Sequence, residues 1–258
     1  MLVDFISHNE SGYFSKLMLD YLNEEEAIKP LYHRFASIEN FKEQLIEKQS
    51  NFSEQKREQL IIALKKQYSN KNISEATQKN IDKLALANTF TITTGHQLNL
   101  FSGPVYYIYK ILSVINLAES LKTEYPEYNF VPVFWMATED HDFEEINHFN
   151  FRDKKIQWQS NQTGPVGKFE TEGLDKINDL ISIIFGKGEK AQKLKDLFSE
   201  SYIKNNTLTA ATFHLTNELF KNYGIVIVNG DDVILKNSFK EVAKKELFDQ
   251  ALNTNITQ

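Results

Sequence analysis

Three polar clusters in this 258-residue chain combine residue types and spacings that could do chemistry. The densest is Thr138-Glu139-Asp140-His141-Asp142, three carboxylates around one imidazole. Carboxylates so crowded cannot all ionise independently, which spreads their pKa values. Such a group could supply a general base, bind a divalent cation or orient a substrate amine. The second cluster is Gly95-His96-Gln97 with Ser102-Gly103-Pro104 closing the loop. Glycines let backbone approach a ligand, and a helix starting at 104 would aim free N–H groups at a phosphate or carboxylate. The spacing is neither a Walker A loop nor the GxGxxG fingerprint, and no lysine stands beside the helix start. The third cluster is Asp231-Asp232, following Gly230. All three also have a plainer reading, as turn geometry or helix caps, and for the last pair the cap is the better account. His148 lies seven residues beyond His141 but on a segment, 144–151, that reads as a strand leading away; His8, His33 and His214 have no visible partners.

Something must position these clusters. Thr89 to Thr94 is short and β-branched and is broken by Gly95, a strand entering a loop. Ser102 or Gly103 could cap the helix that follows, with Pro104 in its first turn. Its body, 105–121, is apolar except for a stripe of Tyr109, Ser113, Asn116 and Ser120, as expected of a helix buried over most of its circumference. Phe130 to Met136 is the continuous apolar run of a strand covered on both faces, with Pro132 expected at its start. Strand, helix and strand in so short a stretch predict a right-handed βαβ crossover. Helices are expected near 173–185, 189–203 and 207–222, a third strand at 225–228, and a last helix at 236–252. Residues 1–88 read as charged, amphipathic helices. The expected organisation is therefore a helical segment, 1–88, packing on an α/β core, 89–258, with a helical insertion near 170–222. In open parallel sheets ligands bind beyond the carboxyl ends of the strands, and there all three clusters fall. Three parallel strands also leave exposed edges, a hint that the chain is incomplete.

Composition narrows the function. With no cysteine, disulfides, thiolate metal sites and a catalytic thiol are excluded, and the absence fits a reducing cytoplasm. A net charge of −6 argues against nonspecific nucleic-acid binding. No apolar run reaches the roughly 18 residues of a membrane span, and the first residues lack a signal peptide's basic and apolar regions. A small-molecule or protein partner is expected.

Two blocks carry a family resemblance. Thr94-Gly95-His96-Gln97 leading to Leu100-Phe101-Ser102-Gly103-Pro104 and Tyr109-Lys110 is the first. Val131-Pro132-Val133-Phe134-Trp135-Met136-Ala137 through Glu139-Asp140-His141-Asp142-Phe143-Glu144-Glu145-Ile146-Asn147-His148 is the second; Gly164-Pro165-Val166-Gly167 and Tyr223 to Val228 support them. Together they resemble the N-terminal half of the bacillithiol biosynthesis cysteine-adding enzymes, with His96 where that family's pattern has glutamine. The resemblance implies a Rossmann-like core shaped like class I nucleotidyl transferases, helical insertions, and homodimerisation through a coiled coil in the half this chain lacks. It also implies a reaction, the joining of cysteine to the amine of glucosaminyl malate. On that basis Gly95, His96, Gln97, Ser102, Gly103, Lys110 and Glu139 form the substrate or nucleotide cradle. His141, with Asp140 and Asp142, orients the amine and removes its proton. ATP or ADP enters as a cofactor by fold analogy alone, and Lys110, Arg152 and Lys168 are the few cations available to a malate carboxylate. Two other readings stand beside this one: a metal-dependent hydrolase built on Glu139–Asp142 with His148 or His96, and a non-catalytic fragment that needs a second polypeptide.

Overall fold

The structure is a computed structural model and describes residues 3–252. The chain divides into two compact units, Met1–Asn51 and Phe52–Gln258. The first holds α1 (His8–Ser11), α2 (Lys16–Leu22), a 3-10 segment (Glu26–Leu31) and α3 (Phe41–Asn51). Ser7 closes a capping box with Glu10, and Arg34 ties the unit together through Gln44, Glu43 and Glu47. The second unit starts at Phe52, not at 89, so α4 (Glu54–Gln67) and α5 (Glu75–Lys83) share a compact body with the sheet.

That sheet contains β1 (Thr89–His96) and, after α6 (Tyr106–Glu124), β2 (Asn129–Met136). Next come α7 (Phe143–Ile146) and an antiparallel hairpin of β3 (His148–Phe151) with β4 (Lys154–Gln157). The helical stretch is α8 (Leu174–Ile184), α9 (Glu189–Phe198), a π-helical turn (Ser199–Ile203) and α10 (Leu208–Phe220). β5 (Val226–Asn229) completes the three-stranded parallel sheet, in the order β1-β2-β5, before α11 (Val233–Asn237) and α12 (Lys240–Asp249). The fold is Rossmann-like, a parallel sheet flanked by helices. The helix expected at 236–252 is broken at Ser238-Phe239. Among the described residues no helix is long and apolar enough to cross a membrane.

Burial follows the sequence pattern closely. In α6 the predicted stripe of Tyr109, Ser113, Asn116 and Ser120 is exposed, while Tyr107, Ile111, Val114, Ile115, Ala118 and Leu121 are buried. β2 is buried along its length except at Trp135 and, partly, Asn129. Pro132, expected at the strand's start, is fourth in it. Asn129 and Ala137 give their N–H groups to β1, at Asn88 and His96, so alternate residues, Pro132 among them, turn theirs toward β5. β5 pairs with β2 only from Val133 onward. The missing N–H of Pro132 therefore falls where there is no acceptor to satisfy.

The two sheet edges are closed differently. On β5 the Tyr68 hydroxyl both accepts from the Ile227 N–H (2.6 Å) and donates to the Ile227 carbonyl (3.1 Å), and Gln67 Oε1 accepts from Asn229 N–H (2.9 Å). The end of α4 thus substitutes for a fourth strand. Along β1, Arg57 donates to the Thr89 carbonyl and Lys110 Nζ to that of Gly95 (2.6 Å). Between them the outward backbone of Thr91 and Thr93 has no hydrogen-bond partner among the described residues. Replacing Tyr68 with Phe leaves both Ile227 groups unsatisfied and should cost about 1–3 kcal/mol. Urea unfolding of the variant should show the lower midpoint; an unchanged midpoint would mean that the edge does not need this cap.

Candidate active site

β1 runs two residues past its expected end, through Gly95 and His96, so the loop opens at Gln97. A 3-10 turn, Leu100–Ser102, follows, and α6 begins at Tyr106 with Val105 as an N-cap that makes no side-chain bond. Neither Ser102 nor Gly103 is the cap. The amides of Val105 and Tyr106 have no acceptor among the described residues, which leaves the positive end of α6 open to an anion. The loop reaches it through three successive left-handed residues: Phe101 (φ 48°, ψ 46°), Ser102 (φ 69°) and Gly103 (φ 53°, ψ −123°). For Phe101 and Ser102 that conformation costs roughly 1–2 kcal/mol each. Only glycine fits at 103, because a Cβ there would lie 2.7 Å from the Asn99 Cβ. Phe101 is held by its ring, set against Phe149 (5.5 Å) and Phe198 (5.3 Å), and by its N–H, which donates to the Tyr202 hydroxyl (2.8 Å).

His96 is buried between the rings of Tyr106 and Tyr107, with Nδ1 3.0 Å from the Gln97 carbonyl. Burial pushes its pKa below the ordinary histidine value; the Gln97 carbonyl opposes this and the nearby Lys110 charge adds to it. The imidazole is therefore neutral at pH 7, as the glutamine of the family pattern would be. Lys110 itself is engaged at the Gly95 carbonyl. Gln97 Nε2 donates to Glu145 Oε2 (2.8 Å), joining the end of β1 to the loop after β2, and it helps to lower the pKa of the Asp140 carboxyl.

The run Glu139 to Asp142 does not act as one group. Glu139 turns toward Gly230, where a Cβ would collide with its Oε2, and that buried oxygen has no hydrogen-bond partner among the described residues. Asp140 folds back on its own turn, with Oδ1 accepting from the amides of His141 (2.6 Å) and Asp142 (3.1 Å). Partial burial would raise its pKa, but the bonds from Gln97 and those two amides outweigh it and hold the carboxyl below its usual range. His141 and Asp142 are exposed at the rim. Because these side chains diverge, the metal reading loses its ligand set: among the described residues no three His, Asp or Glu could hold an ion together. His148 sits at the start of β3, beside Asn147, and joins neither cluster.

Asp232 caps α11 through the amides of Ile234 and Leu235 (2.8 and 3.1 Å), as the sequence suggests. Asp231 does something else. It pairs with Lys236 and with Lys168 (3.3 Å), and these bonds, Lys236 first, hold its carboxyl low. Its N–H donates to Thr138 Oγ1 (2.9 Å), which is itself bonded to Asn229. The ends of β2 and β5 are thereby tied. Beside them a cavity of about 620 Å³ lies against one face of the sheet, bounded by Leu60, Leu64, Trp135, Glu139, Leu235 and Lys236 among others. Sequence reasoning missed Asn99, Tyr202, Asn229 and Lys236, and gave Glu145 no part of its own. Asn99 alone left a signal, its spacing of four from Gly103.

The family described as "Bacillithiol biosynthesis BshC, N-terminal Rossmann-like domain" matches residues 1–258. Among similar curated proteins, one from Flavobacterium johnsoniae is 55% identical over 96% of this chain and 47% of its own length. One from Flavobacterium psychrophilum is 52% identical over 100% of this chain and 49% of its own length. A more distant one from Bacillus thuringiensis is 30% identical over 89% of this chain and 44% of its own length. Each is provisionally named a cysteine ligase, BshC. The chain thus spans about half the length of the curated relatives it matches.

The His96 geometry has a pH signature. Its folded pKa is below the ordinary 6.5, so the unfolded chain binds the extra proton. The stability this group contributes is fully present above about 6.5 and is lost as the pH falls toward the folded value. An NMR titration of the ring should give a midpoint below that of a free histidine, and His96→Gln should flatten the acid side of the stability curve. A midpoint at or above the free value would refute the buried, neutral assignment.

Proposed function

Because the chain belongs to the family of BshC N-terminal Rossmann-like domains, we propose that it is the N-terminal half of a ligase joining cysteine to the amine of glucosaminyl malate. The observation that carries this reading is the placement, at the carboxyl ends of β1 and β2, of the open α6 N-terminus, the Gln97–Glu145 bond and the Asp140 turn. An anionic group and an amine can be held side by side there. In the proposed arrangement the amides of Val105 and Tyr106 receive a carboxylate or phosphate, and Gly103 leaves the backbone open to it. A nucleotide phosphate, ATP or ADP, would use the same amides. Gly95, His96, Gln97 and Ser102 shape the cradle, and Lys110 closes its β1 side.

The amine is assigned to the rim. Asp140 organises the turn that presents His141, and Asp142 stands beside it. His141 takes the proton released as the amine nitrogen attacks the activated cysteine carboxyl, forming the C–N bond as the activating group departs. Glu139, which the resemblance puts in the cradle, faces the cavity beside Gly230 instead. The relatives' length favours a division of labour in which the other half supplies groups for malate and for cysteine activation.

The test uses the full-length chain, with cysteine, ATP and glucosaminyl malate, and mass detection of the cysteinyl product. His141→Ala should lower turnover on the order of 10²-fold or more, as expected for loss of a general base. Full activity in that variant would remove the base assignment. Turnover by residues 1–258 alone would overturn the division of labour.

A further inference from the structure

We propose that Tyr202 is a positioning residue of the site, its buried hydroxyl holding the Phe101–Gly103 loop in the left-handed form that keeps the α6 N-terminus open. This rests on the reading of that loop as the substrate cradle.

The geometry is unusual in three respects. First, the loop is left-handed at three consecutive positions, two of them not glycine, so its shape must be enforced from outside. Second, the enforcing contact comes from a residue a hundred positions away. Phe101 N–H donates to the Tyr202 hydroxyl at 2.8 Å, and Tyr202 is fully buried. Burial raises the phenol's pKa, so the hydroxyl stays neutral. Third, Tyr202 lies in the π-helical turn Ser199–Ile203, between α9 and α10. A π turn shifts the register of the side chains after it, and such turns concentrate at functional sites. This one is anchored on both sides. The Tyr202 ring packs on Phe198 at 4.8 Å, and the neighbouring Ser201 hydroxyl bonds His214 Nδ1 on α10 at 3.0 Å.

The helical insertion thereby reaches back to the end of β1. Without the hydroxyl, the Phe101 ring can stay among Phe149 and Phe198 while the backbone relaxes toward negative φ. Ser102 and Gly103 would then turn, and the path to the Val105 and Tyr106 amides would narrow. The role is positional, because Tyr202 itself is too buried to touch substrate.

The test compares Tyr202→Phe with Tyr68→Phe and Gly103→Ala in the full-length chain. Tyr68→Phe removes a buried hydroxyl from the β5 edge and controls for general destabilisation. Amide hydrogen exchange reads the loop directly, and KM against kcat reads the site. Tyr202→Phe should speed exchange at Phe101 and raise the KM of the anionic substrate on the order of tenfold, with a smaller change in kcat. Gly103→Ala should also raise KM, and Tyr68→Phe should leave it unchanged. Unchanged exchange at Phe101 overturns the inference. So does a Tyr202→Phe effect no larger than that of Tyr68→Phe while Gly103→Ala still raises KM, which leaves the cradle standing without its support. If exchange quickens but neither Tyr202→Phe nor Gly103→Ala alters KM, the cradle reading fails and the positional role falls with it.

Discussion

A three-stranded parallel sheet cannot satisfy its own edges, and much of this structure follows from how those edges are closed. Each outer strand presents alternate N–H and C=O groups that must find partners or water. At β5 the solution is local in space but distant in sequence: Tyr68 and Gln67, at the end of α4, take the groups a fourth strand would take. This fixes α4 against the sheet, and α4 in turn forms one wall of the cavity beside Trp135 and Glu139. At β1 the closure is partial, with Arg57 near the start and Lys110 at the end. Because Lys110 is used this way, its ammonium is tied to backbone. In the proposed cradle an incoming anion would either compete with the Gly95 carbonyl for it or rely on the helix amides.

The same economy explains how the site is assembled. Strand ends bring residues to one rim, but their side chains still need to be aimed. Gln97 performs that task between β1 and β2, bonding the Glu145 carboxylate in the segment after β2. Thr138, Asn229 and Asp231 perform it between β2 and β5. The rim consequently has two halves of different character. One holds a neutral imidazole and open amides; the other holds a carboxylate between two lysines.

The pattern of elements was largely legible in the sequence, for physical reasons that can be traced residue by residue. The β-branched run to Thr94, the polar stripe of α6 and the apolar run of β2 each report burial, and burial has the period of the element. Pro132 was misplaced because a proline's tolerance depends on which neighbour its nitrogen faces, a property of the sheet rather than of the strand. The start of α6 lies later than expected because Ser102 and Gly103 have the composition of caps but adopt positive φ in the turn that follows Phe101. In the site, residue types at the strand ends were visible, whereas their directions were not. Glu139, Asp140, His141 and Asp142 are adjacent in sequence yet face a cavity, their own turn and solvent.

That divergence bears on what kind of chemistry the rim suits. A metal centre requires ligands that converge on one point, and four consecutive residues on an irregular turn rarely do so unless the backbone bends around the ion. Here Asp140 bends the backbone around its own oxygen instead, through the amides of His141 and Asp142. The His141 imidazole is thereby left exposed above a turn whose backbone these bonds hold. On the proposed reading, an exposed imidazole on a held turn is free to take a proton from a bound amine. On that same reading the open helix end would supply an anchor for an anion, leaving the imidazole for the proton.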